Sequence, residues 1–377
     1  MPLVLNEEQR MLRDSTRDFL RDNANTQHFR ALRGSDTGQA CDPATWASMA
    51  ELGLSAITAP EQYGGLAFGY LALGAVFEEC GQFLTATPLL SSVVLSGSLI
   101  ELAGNEEQKE ALLPPITSGE SIVAAAIDEG PHHSPLFTAL SARQEGDAYI
   151  LNGRKAFVID GMSADKLVVL ARTTGDVGDR NGLSLFVLDT ASDGLQRNRS
   201  NLVDSRDYAD IELVDVAVPK SALLGDEALP ALDTALDRAR ACLAAEMLGG
   251  AQHLFDRTVA YLKEREQFGA KIGSFQALQH RAARMYVELE LTRSAVVDAL
   301  SAIDEEREMT AASVSTAKCR ANDTFQLIAN EAVQMHGGIG VTDELDVGLY
   351  FKRCRVSLQL LGNSGFHKNR FASLNNF

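Results

Sequence analysis

The hydrophobic period changes twice along this chain, and that double change constrains its fold more than any other feature. From Asn6 to about Gly119 the spacing is helical. Asn6 is placed to cap a helix carrying Leu12, Phe19 and Leu20. Further helices are predicted over Pro43–Leu54 and Leu71–Cys80, with the turn-rich loop Pro60-Glu61-Gln62-Tyr63-Gly64-Gly65 between them. Asn105-Glu106-Glu107-Gln108 opens another helix, predicted to stop near Pro114-Pro115. From about Ser121 to Leu224 the texture is that of short strands: Val123–Ile127, Tyr149–Leu151, Lys155–Ile159, Leu167–Ala171, Leu183–Leu188 and Ile211–Val218. Asn152-Gly153, between two of them, is the strongest hairpin signal in the chain. After Pro230 the helical period returns. Leu232, Leu236, Ala239, Leu243, Met247, Ala251 and Leu254 line one face, and long helices are predicted through Gln276–Ser301 and Ala312–His336.

At 377 residues the chain exceeds one ordinary core, so two or three domains are expected. A formal charge of −17 argues against nucleic-acid or anionic-membrane partners, which need basic patches. It leaves room for a phosphate-bearing ligand held by single arginines or helix ends. The five cysteines are scattered, without metal-like spacing, which suits packing in a reducing cytoplasm. No signal peptide is expected from the opening residues. The most apolar stretch, Pro88–Ala103, carries Ser91, Ser92, Ser96, Ser98 and Glu101 and is too short and polar to span a bilayer, so a soluble protein is expected.

Two motifs lie in the last segment. The first is Arg265-Glu266-Gln267-Phe268-Gly269, followed by Ile272-Gly273-Ser274-Phe275-Gln276 and Gln279-His280. The second is Gln334-Met335-His336-Gly337-Gly338-Ile339-Gly340, followed by Arg353. Singly each reads as a helix stop or a helix C-cap. Both in this order, behind a β segment and with the Tyr63-Gly64-Gly65 loop, resemble the acyl-CoA dehydrogenase family over nearly the whole chain.

The resemblance implies FAD as cofactor and an acyl-CoA thioester as substrate. It assigns the adenine-dinucleotide half of FAD to Arg265, Phe268, Gln276, Gln334, Gly337 and Gly338, and has these residues reach into a neighbouring subunit's site. The residue types suit that role. Arg265 offers planar charged donors to a pyrophosphate, Phe268 a flat apolar surface, and the glutamines amide hydrogen bonds. The glycines let backbone approach the cofactor because no Cβ intrudes. By the same resemblance Phe157 and Ser134 line the flavin, and Asp237 and Arg240 match positions that face bound acyl-CoA, with Arg240 either contacting the substrate or pairing with Asp237 or Glu246.

The chain also departs from the family. The catalytic glutamate that normally removes the α-proton has two known positions, and here they hold Leu361 and Ala239. The flavin loop reads Asp128-Glu129-Gly130-Pro131-His132-His133-Ser134, where only Glu129 and Ser134 fit; Asp128 stands where a hydroxyl is usual and would repel a reduced flavin. The strand usually reading Trp-Ile-Thr is Phe157-Val158-Ile159, without the hydroxyl. Glu246 is a weak candidate for a substitute base; a structural ion pair is the plainer reading. His367 could move protons, but a tail residue facing phosphate or solvent is the plainer reading. The pair His132-His133 lacks a third metal ligand, so no metal is expected.

The expected fold is mainly α with a small β domain: an N-terminal helical domain (1–119), a middle β-barrel-like domain (120–228) and a C-terminal four-helix bundle (229–377). The resemblance implies an FAD-dependent acyl-CoA dehydrogenase in a homo- or heterotetramer, with an electron-transferring flavoprotein as the default acceptor. Two alternatives stay open. One is a non-catalytic subunit completing the FAD site of a heterotetrameric enzyme, of a kind that often acts on steroid-derived thioesters. The other is a relative with different flavin chemistry.

Overall fold

The computed structural model describes residues 5–33, 41–225 and 228–377. Two of its helices begin at capping boxes. The side chain of Asn6 accepts from the Gln9 amide and Gln9 answers to the Asn6 amide, closing a box that starts α1 (Glu7–Asn23). Asn105 and Gln108 repeat the device at the start of α6 (Glu106–Thr117). Between them run α2 (Thr26–Arg33), α3 (Pro43–Glu51), α4 (Tyr70–Phe83) and α5 (Gly97–Ala103). Helix α6 continues through Pro114 and Pro115 rather than stopping there. Burial of Leu113, Ile116 and Thr117, with Thr117 Oγ1 donating to Pro114 O and Tyr63 O, outweighs the lost backbone bonds.

The chain forms two compact units, each assembled from separate segments. One comprises Leu32–Gly69 and Ala86–Ala239. It holds β1 (Val123–Ala126), β2 (Ser141–Glu145), β3 (Ala148–Ile159), β4 (Lys166–Arg172), β5 (Leu183–Asp189), β6 (Leu195–Arg199), β7 (Tyr208–Pro219) and β8 (Leu223–Gly225). These strands form an eight-stranded sheet in the order β6-β7-β3-β2-β4-β5-β8, with β1 parallel to β4. Leu151, Leu167, Val169, Phe186, Ile211 and Val216 anchor its core. The apolar run after Pro88 becomes a buried π-helix, Leu89–Ser96, whose serines find partners: Ser92 Oγ accepts from Val123 N and Ser91 Oγ donates to Asp160 at 2.5 Å. Among the described residues no helix is long and apolar enough to cross a membrane.

Asn152-Gly153 does not make the expected hairpin. The two strands assigned on either side of it are one strand, β3, and the turn from β2 falls at Gly146-Asp147. Gly153, at φ 142°, sits at a register break against β7, and a Cβ there would come within 2.8 Å of Leu140 Cα. Asn152 meanwhile exchanges hydrogen bonds with Asp215. The pair therefore builds a bulge, for which the same residue types serve. Strands β2 and β6 carried no apolar alternation and were not foreseen; β6 reads Leu-Gln-Arg-Asn-Arg and lies at the edge of the sheet.

The other unit comprises the chain up to Ala31, Tyr70–Thr85 and Arg240–Phe377. It holds most of α7 (Ala228–Glu264), then α8 (Gln276–Asp304), α9 (Thr310–His336), α10 (Val347–Ser357) and α11 (Ser364–Leu374). Helices α8, α10 and α11 all pack on α9. Asp304, ending α8, caps α4 by accepting from the amides of Tyr70 and Leu71. Helices α4 and α7 cross backbone on backbone. A Cβ on Gly81 would lie 1.9 Å from Glu246 O, and one on Gly249 would lie 1.8 Å from Glu78 O.

Candidate functional site

Helix α7 runs out at Glu264 into a two-stranded ribbon, Glu266–Gln267 against Ala270–Lys271. Its two-residue turn is Phe268-Gly269, both at positive φ (55° and 74°), as a twist-compatible hairpin turn requires. Glycine accepts that conformation without strain; Phe268 does not, and it holds its ring 94% exposed, edge-on to Phe275 at 6.3 Å. Arg265 and Gln276 are exposed beside this turn in sequence. Helix α9 ends at His336, whose buried ring stacks on Tyr261 of α7 at 4.4 Å. The ends of α7 and α9 are thereby pinned side by side, which brings the Arg265 ribbon and the Gly337-Gly338 turn to one end of the unit. Gln334, Gly337 and Gly338 are exposed, and a Cβ built on either glycine meets nothing within 4 Å. This is an uncovered cradle of donors, flat apolar surface and bare backbone.

In the β-containing unit, Phe157 also has positive φ (54°) and lies in the register break of β3 between Lys155 and Val158. The bulge turns its ring outward, 38% exposed. Ser134 is exposed, with its hydroxyl on His132 O. Asp128 is not presented outward as an uncompensated acid. Its carboxylate meets His133 Nδ1 at 2.7 Å and accepts from the Ser134 amide at 2.9 Å. Burial pushes Asp128 up, but His133 and the Ser134 amide outweigh it and leave it below the usual carboxylate range. Glu129 takes the amides of Ala139 and Leu140 and pairs with fully buried Lys155 at 2.8 Å. Glu129 thus ties the loop to β3.

The residues matched to the two expected base positions are apolar and buried. Ala239 is fully buried, and Leu361 is 7% exposed at φ 58°. Arg240, buried, donates Nε to Leu361 O at 3.1 Å and lies over the Phe366 ring. Asp237 is buried. Glu246 is buried too, and both its oxygens accept from Arg353, at 2.9 and 3.1 Å. His367 is 0% exposed, so it is not the solvent-facing tail residue the sequence suggested. Among the described residues no cluster of three or more His, Cys, Asp or Glu could hold a metal ion.

Three family models match the chain: the acyl-CoA dehydrogenase N-terminal domain at residues 6–120, the middle domain at 127–216 and the C-terminal domain at 229–373. The chain belongs to the acyl-CoA dehydrogenase family. It is 32% identical to a probable acyl-CoA dehydrogenase, YngJ, of Bacillus subtilis, over 92% of each chain. It superposes on a variant of the Tcur3481-Tcur3483 steroid acyl-CoA dehydrogenase with a TM-score of 0.87 at 31% identity, covering 98% of each chain. It matches a chain of the ChsE4-ChsE5 complex of Mycobacterium tuberculosis with a TM-score of 0.90 at 25% identity, covering 100% of this chain and 99% of that one.

Members of the acyl-CoA dehydrogenase family are FAD-binding oxidoreductases acting on CH–CH donors. The open glycine turn and the exposed Phe268 leave room for such a dinucleotide: among the described residues nothing lies within 4 Å of a Cβ on Gly337 or Gly338. What sequence reading missed is buried charge. Lys155 and Lys318 are both fully buried, and neither sits in a pattern that announces burial.

Proposed function

We propose that this chain is an FAD-binding subunit of an acyl-CoA dehydrogenase tetramer in which another chain supplies the proton-abstracting carboxylate. One observation carries the reading: no carboxylate is available where the family keeps its base. Leu361 and Ala239 occupy the two positions, and Glu246 spends both oxygens on Arg353. Freeing Glu246 would strand a buried guanidinium, at a cost of about 3–5 kcal/mol. Likeness to chains from proteins named in pairs, ChsE4-ChsE5 and Tcur3481-Tcur3483, supports the same reading, and likeness to the second, a steroid acyl-CoA dehydrogenase, favours a bulky, steroid-type thioester.

A bound FAD would supply the hydride acceptor for Cβ of the thioester. On this reading Arg265 binds the pyrophosphate, Phe268 gives the cofactor a flat face, and Gln276 and Gln334 hydrogen-bond to it. Gly337 and Gly338 let backbone amides come close. Phe157 shields a flavin ring and Ser134 offers it a hydroxyl. Asp237 accepts from the CoA arm. Arg240 steadies the turn that borders the thioester, since its Nε is committed to Leu361 O. An electron-transferring flavoprotein takes the electrons onward, in the cytoplasm. The reading predicts that tagged protein recovered from its native cell brings down a second acyl-CoA dehydrogenase chain in equal amount, with a glutamate at one of the two positions. Recovery of this chain alone, as a homotetramer, would refute it.

A further inference from the structure

The turn from α10 to α11 adopts a conformation that its own residues do not favour. Leu361 stands at φ 58°, a region that a bulky L-residue enters only when its surroundings hold it there, and Gly362 follows at φ 111°. The hold comes from other helices. Arg240 of α7 donates to Leu361 O at 3.1 Å. Lys318, in the middle of α9, reaches Asn322 Oδ1 at 2.6 Å, Ser357 O at 3.0 Å and Gly362 O at 3.4 Å. Asn322 in turn donates to Gly362 O at 3.5 Å. Lys318 and Asn322 are both 0% exposed, so no solvent substitutes for these bonds.

We propose that Lys318 is a positioning residue: its buried ammonium clamps both ends of this turn and so fixes residue 361, the place where the family carries its base. The hydrogen-bond count supports this. An ammonium has three N–H groups for three acceptors, whereas a neutral amine has two and leaves one carbonyl unserved. The longest bond, to Gly362 O, is the one given up first.

The surroundings make that count depend on pH. Burial pushes Lys318 down to about 7, and Arg240 of α7 and Arg353 of α10 push the same way. Cys354 of α10 and Cys319 of α9 oppose them weakly. The remaining ionisable neighbours are Glu246 of α7, held by Arg353, and His367 of α11, whose Nε2 would lie 2.9 Å from a Cβ on Gly362. The clamp is therefore complete below about pH 7 and loosens above it. The inference rests on family membership alone and holds whichever chain supplies the base.

Amide hydrogen exchange of the full chain, with whatever flavin and partner it retains, reads the turn directly. Leu360 and Gly362 donate backbone bonds to Val356 O and Gln359 O, so their protection reports its closure. After correction for intrinsic rates, their protection should fall by roughly tenfold between about pH 6 and about pH 8.5, while the rest of α9 stays constant. Lys318→Met should give low protection at every pH. Lys318→Arg, permanently charged, should abolish the pH dependence and keep the turn protected. If Lys318→Met does not fold, the arginine variant decides alone. Equal protection in wild type and Lys318→Met, or a pH profile that Lys318→Arg leaves unchanged, would overturn the proposal.

Discussion

Each oxygen of Glu246 accepts from buried Arg353, which on the proposed reading makes the residue half of a structural ion pair. Its burial was legible from the helical stripe around it, but its partner was not, because Arg353 lies 107 positions away in sequence. The same holds for Asp128, whose local partner His133 absorbs the charge that looked exposed, and for His367, which a tail position disguised. Side-chain pairing is a tertiary fact. On the proposed reading Glu246→Gln should leave turnover of the assembled enzyme within about twofold, because the base comes from another chain. Arg353→Met should cost about 3–5 kcal/mol of stability, read by thermal or denaturant unfolding, because it strands a buried carboxylate. A large loss of turnover in a well-folded Glu246→Gln variant would instead make Glu246 catalytic.

At the scale of elements, the double change of period gave away the helix–strand–helix order, and Asn6 and Asn105 gave away two helix starts through their capping boxes. Asn152-Gly153 misled because a type I′ turn and a bulge both need a residue free to take positive φ. What chooses between them is the partner strand, here β7, some 60 residues on by its register with Gly153 at Leu213. The crossing of α4 and α7 was equally invisible, since Gly81 and Gly249 look merely tolerated in a helical pattern. Replacing a helical glycine by alanine ordinarily gains about 1 kcal/mol. Gly249→Ala should instead lower stability, by about 1–3 kcal/mol, because its Cβ would fall 1.8 Å from Glu78 O. Unfolding midpoints of this variant and of an alanine at an exposed helical control site check the sign.

For the molecule as a whole, a buried histidine adds a sensitivity to acid. His253 stacks on Tyr350 at 4.5 Å, and burial first, then Arg257, pushes it down to about 4 from the ordinary 6.5. The folded chain thus binds fewer protons there than the unfolded one, so stability is present above about pH 6.5 and is lost as pH falls toward about 4. His253→Phe should flatten that part of the stability–pH curve. On the proposed reading function has its own whole-molecule logic: the Gly337-Gly338 turn is open to a dinucleotide, while the residues matched to the base positions, Leu361 and Ala239, are apolar and buried. The pairing of Glu246 with Arg353 supports the proposed reading. The most direct test is the anaerobic visible spectrum of the chain purified alone and supplied with FAD, then mixed with short-chain, long-chain and steroid acyl-CoA thioesters. The account predicts a flavin band that no thioester bleaches until a glutamate-bearing partner chain is added. Bleaching of the lone chain by any thioester would contradict it.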